Sequence, residues 1–156
     1  MEEYLMNKWM RGTQPDPYVE TRPVLAAGSG LRVTGGGTVD LGGQAATLSK
    51  LGGNDGSVSN FSSLTVEDAF VFNVVGGRVQ RMTVNGDLAI GSRAVAEFLN
   101  GDTLDHAFQM QQALEVTGEV SGGELKTTVG LPRKWAWTRA GNVWSIIRNG
   151  FLFLLR

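Results

Sequence analysis

The feature that most constrains this chain is a short apolar motif that returns at a nearly constant interval, usually followed by glycine or a small polar residue. Leu31-Arg32-Val33-Thr34-Gly35 is echoed by Leu48-Ser49-Lys50-Leu51-Gly52. It returns as Leu64-Thr65-Val66-Glu67, Met82-Thr83-Val84-Asn85-Gly86, Phe98-Leu99-Asn100-Gly101 and Leu114-Glu115-Val116-Thr117-Gly118. Successive motifs start 17, 16, 18, 16 and 16 residues apart. That interval lies near the repeat lengths of proteins that stack one small unit on the next. It is too short for a helix pair and fits one coil of strand, turn, strand and turn. Apolar–polar alternation points one set of Leu, Val and Phe side chains inward. The expected fold is all-β: a β-solenoid of about six or seven short coils. An antiparallel β-sandwich is the alternative, because short strands between turns also fit that class.

Composition agrees with a turn-rich β protein. Glycine is very frequent, at 22 of 156 residues, without the Gly-X-Y period of collagen. It punctuates the apolar alternation, as Gly-Gly pairs do at 42–43, 52–53, 76–77 and 122–123. The length suits one domain with a sizeable core. The 14 Lys and Arg are balanced by 15 Asp and Glu, leaving no basic stripe for nucleic acid. Cysteine is absent, so no disulfide frame or thiolate site is expected. No apolar run reaches membrane-spanning length, and no secretory signal is visible at the N-terminus.

Three segments are expected. Residues 1–23 read as a helix and a linker. Leu5 and Trp9 share a helix face beside Met6 and Met10, Gly12 ends the helix, and Gln14-Pro15-Asp16-Pro17 forces extended backbone. Residues 24–134 form the repetitive region. Within it 94–99 has helical character, but the period favours a strand. Residues 135–156 read as a hairpin, with Asn149-Gly150 as a type I′ turn between 143–148 and 151–156. A solenoid exposes backbone and apolar interior at both ends, so the helix and the hairpin are expected as caps. The end-cap or interface residues are Leu5, Trp9, Trp135, Trp137, Trp144, Phe151 and Phe153. The alternative for 151–155 is an exposed adhesive strand. Association is expected through the ends or a flat side rather than a deep pocket.

The run from Leu31-Arg32-Val33-Thr34-Gly35-Gly36-Gly37 through Leu51-Gly52-Gly53-Asn54-Asp55-Gly56 to Leu64-Thr65-Val66 resembles the autotransporter-associated β-strand repeat. The resemblance covers about a quarter of the chain and loosens after Val66. It implies a single-stranded right-handed parallel β-helix in a large exported bacterial surface protein. Glu3-Tyr4-Leu5-Met6-Asn7-Lys8-Trp9 is similar to the last helix of bacterial laminin-G/concanavalin-like modules, which often precede such repeats. That similarity implies a longer parent chain, with its other domains as partners and an extracellular or cell-surface location. A simple cap helix is the plainer account of the same residues.

Little in the sequence points to catalysis. His106 is the only histidine, in Asp102-Thr103-Leu104-Asp105-His106. A catalytic or metal site needs partners converging from elsewhere, and a polar loop is the better reading. Gly52-Gly53-Asn54-Asp55-Gly56 lacks the tandem spacing of Ca²⁺-binding β-roll turns. Gly28-Ser29-Gly30 and Gly35-Gly36-Gly37 read as turns between strands, since no Lys-Ser/Thr and helix follow as in a phosphate loop. The clustered tryptophans could stack on sugars, but packing explains them better. Asp40, Glu67, Asp68 and Asp87 could face outward as in a carbohydrate-active β-helix enzyme, and outward charges are also what any solvated face requires. No catalytic, cofactor-binding or metal-binding residue is assigned, and no cofactor is expected. The expected role is a non-catalytic structural or adhesion module. A carbohydrate-active enzyme or glycan-binding module is the alternative.

Overall fold

The computed structural model describes residues 28–33, 36–53 and 55–148. The helix expected over 1–11, with Leu5 and Trp9, lies outside them, as do Asn149-Gly150, Phe151 and Phe153. Among the described residues the chain is all-β, with a single 3-10 turn at Gly101–Thr103 and no α-helix. The strands join one mixed sheet that does not close on itself.

Most pairing is parallel and falls into three ladders. Strands β2 (Thr38–Gly53) and β3 (Gly56–Val75) are long because each runs through all three. In the first ladder, β5 (Met82–Asn85) and β8 (Met110–Val116) continue from β3. In the second, β6 (Leu88–Ile90) and β9 (Val120–Gly122) follow β3. The third begins with β1 (Ser29–Val33) on β2 and ends with β7 (Val95–Leu99) and β10 (Thr128–Val129) beyond β3. Antiparallel pairing is confined to β4 (Arg78–Val79) on β3, and to β11 (Trp135–Ala140) and β12 (Val143–Arg148), with β12 also lying on β8. Parallel ladders of this kind are not those of an antiparallel sandwich.

The ladders stack like on like. Val39, Val58, Val84 and Val116 stand opposite one another in turn. So do Ala46, Leu64, Leu88 and Val120, and likewise Leu48, Val66 and Ile90. In the third ladder Leu51, Phe70 and Ala96 are in register beside Gly53, Phe72 and Phe98. Most of these side chains are fully buried. Each fully buried Val, Leu or Phe contributes about 1.5–3 kcal/mol relative to exposure.

The expected interval is not the advance from partner to partner. Leu31 stands opposite Leu51, not Leu48, and Met82 stands opposite Leu114, two intervals further on. The ladders are accordingly four or five parallel strands deep, rather than six or seven. The chain turns between ladders where side chains tolerate left-handed backbone. Gly42 and Gly43 (φ 64° and 75°) bend β2, and Asn60 (φ 56°) bends β3. Gly76 and Gly77 form the tight turn between β3 and β4. A hairpin over 135–148 turns at Gly141 and Asn142, and the turn expected at Asn149-Gly150 lies outside the described residues.

Candidate functional site

Of the four acids weighed as an enzyme centre, three serve separate structural tasks. Asp40, at the first bend of β2, accepts hydrogen bonds through Oδ1 from the Gly42 amide (2.7 Å) and from Asn60 Nδ2 (2.8 Å). It ties the bend in β2 to the bend in β3. The Gly42 amide first, and Asn60 second, hold its carboxyl below the usual value. Asp68 pairs with Arg93 Nε at 2.5 Å, between the second and third ladders. That hydrogen bond, and then the Asp68 charge, raise the Arg93 guanidinium above its usual value, with Glu67 adding a smaller effect. Asp87 accepts from the Glu119 amide at 2.9 Å, where the chain enters the second ladder. Asp40, Asp68 and Asp87 each secure a turn, and the structure does not bring the four acids together.

His106 lies exposed in the loop after the 3-10 turn, with its ring 5.9 Å from that of Trp135. Its carbonyl accepts a hydrogen bond from Arg148 Nη1. Asp105 is used locally: its amide donates to Gly77 O (3.0 Å), and Oδ1 accepts from the Ala107 amide (2.9 Å). Asp55, from the run weighed for calcium, accepts from the Arg81 amide (2.9 Å). Among the described residues no group of three His, Cys, Asp or Glu side chains could hold a metal ion.

The tryptophans of 135–144 pack inward in separate settings rather than as one platform. Trp137 meets Phe72 and Phe98 at centroid distances of 5.9 and 5.7 Å, and its Nε1 donates to Leu125 O at 2.8 Å. Trp144 is 1% exposed, with the Arg139 guanidinium 4.6 Å from its ring centroid. Trp135 is also buried. A sugar stacks on an open ring face, and Trp135 and Trp144 offer none.

Sequence reasoning passed over one concavity among the described residues. A groove of about 230 Å³ lies on the third ladder. Gly30 and Gly52 line it with Val71 and Leu99, and Arg32 and Lys50 bound it. Gly30 sits inside β1 rather than in a turn, and Gly52 sits inside β2 rather than between strands. The available signal was their place in the alternation: Gly52 stands between Arg32 and Val71 in register, where a side chain is expected. No family model, curated protein or solved structure matches the chain.

Proposed function

We propose that this chain is a non-catalytic structural or adhesion module of an exported bacterial surface protein, built as a right-handed parallel β-solenoid. The carrying observation is the set of three parallel ladders with like residues stacked through them. Such stacking gives a rod that grows by adding coils, which suits a stalk. The right hand follows from the strong preference of parallel strand crossovers. The turn-bracing roles of Asp40, Asp68 and Asp87 support a scaffold. The surface setting rests on the resemblance of residues 31–66 to the autotransporter-associated repeat. Residues 135–148 cover one end of the stack in this reading, with Trp137 over Phe72 and Phe98.

The test is a turnover screen against plant, mucin and bacterial glycans. The expected result is no product from any of them. Product formation that is lost in Asp40→Ala or Asp87→Ala would establish the enzyme reading instead. An upstream reading frame encoding a signal peptide and a laminin-G-like module is the expected genomic context.

A further inference from the structure

We infer that the groove on the third ladder is a binding site for a small molecule with an apolar body and one anionic group. Two glycines carry the argument. At most other described positions glycine has a visible reason. Gly76 and Gly77 need left-handed backbone. A Cβ at Gly101 would lie 2.1 Å from Gly130 O, and one at Gly122 would lie 2.3 Å from Ile90 O. Gly30 and Gly52 have neither reason. Their φ angles lie outside the left-handed region, and a Cβ would meet nothing closer than 3.9 Å at Gly30 or 3.7 Å at Gly52. Glycine inside a strand is destabilising relative to alanine, through the greater backbone freedom it loses on folding. The fold gains nothing visible from that cost at either position. What the two missing side chains create, on neighbouring strands, is the groove.

The lining sets the ligand's chemistry. Val71 and Leu99 offer apolar contact. Arg32 is exposed and makes no ion pair or side-chain hydrogen bond among the described residues, so its guanidinium is available to a carboxylate. Lys50 stands beside it, held only loosely at 3.7 Å from Glu97. A volume of about 230 Å³ lies below the ~300–1,000 Å³ of drug-sized sites. That fits an arylacetate or a short acyl chain. A saccharide would need more hydrogen-bond partners than this apolar lining provides.

The experiment is a titration of the ¹⁵N-labelled full chain with phenylacetate, and with phenylacetamide as the neutral isostere. Saturable shifts are expected at the amides of Gly30, Gly52, Val71 and Leu99, with phenylacetamide weaker by about tenfold. Arg32→Gln should weaken phenylacetate binding by a similar factor. Gly52→Leu should abolish it, with the remaining amide spectrum reporting that the fold is kept. If that variant does not fold, Gly52→Ala has room for its methyl group and should weaken binding. Absence of saturable shifts at millimolar phenylacetate, shifts centred elsewhere, equal binding of the amide, or unchanged binding by Arg32→Gln would overturn the proposal.

Discussion

Gln111 behaves in this fold as a piece of backbone. It is 8% exposed; its Oε1 accepts from the Val79 amide at 2.6 Å, and its Nε2 donates to Gly77 O at 3.2 Å. It thereby satisfies the short β3–β4 hairpin that leaves the third ladder. Gln111→Ala strands the Val79 amide, while the Gly77 carbonyl keeps the Asp105 amide, and should cost about 1–3 kcal/mol. Urea denaturation measures the loss, and a midpoint equal to that of the wild type would contradict it. Nothing in the sequence marks Gln111, because its partners are backbone atoms 32 and 34 residues away. Asp40 is the second case. Its native carboxyl titrates below its unfolded value, so its stabilisation is present above the unfolded value and is lost as pH falls through the native one. Wild type should therefore melt above Asp40→Asn at pH 6, with the gap closing below about pH 4. Melting curves across that range check the sign; a gap that widens in acid would contradict it. The sequence exposed Asp40 as a candidate acid, but only the pairing of two bends shows what the carboxylate holds.

At the scale of elements, local propensity and stacking disagree in one place. Residues 94–99 carry helix-forming Ala, Glu and Leu, yet Val95–Leu99 is a strand. Ala96 stands on Phe70 and Phe98 on Phe72, and that pairing outweighs intrinsic preference. The period made this strand legible. The hairpin of β11 and β12 was not legible. Residues 135–140 do not alternate clearly, and nothing there marks the turn that Gly141 (φ 61°) and Asn142 make. Trp137 anchors this hairpin to the third ladder through two rings and one hydrogen bond. Trp137→Ala should cost about 3–5 kcal/mol. Trp137→Phe keeps an aromatic ring but leaves Leu125 O without its donor, so it should lose less. Thermal unfolding of the two variants ranks them, and equal losses would mean that the hydrogen bond, not the ring packing, holds the hairpin.

For the whole molecule, the apolar interval revealed repetition but not the advance from one paired strand to the next. A motif such as Leu64-Thr65-Val66 belongs to the second ladder, whereas Met82-Thr83-Val84 belongs to the first. Equal spacing along the chain therefore joined strands of different ladders. The β3–β4 turn and the 100–109 loop add residues without disturbing register, since surface excursions cost little. The advance in the second ladder grows accordingly: Thr47 to Thr65, Thr65 to Ala89, and Ala89 to Ser121. These four residues stand opposite one another in series, and none is buried. Since the chain has no cysteine, paired substitutions report on that series without background. Cysteines at 47 and 65, at 65 and 89, or at 89 and 121 should form disulfides under mild oxidation, because neighbouring strands lie ~4.8 Å apart and bridged Cα atoms span ~4.4–6.8 Å. Cysteines at 47 and 89 should not, being two strands and so about 9–10 Å apart. Non-reducing gel mobility reads all four pairs. A sandwich or a barrel would scatter these positions, so cross-linking of 47 to 89, or failure of all three neighbouring pairs, would remove the basis for a stacked coil.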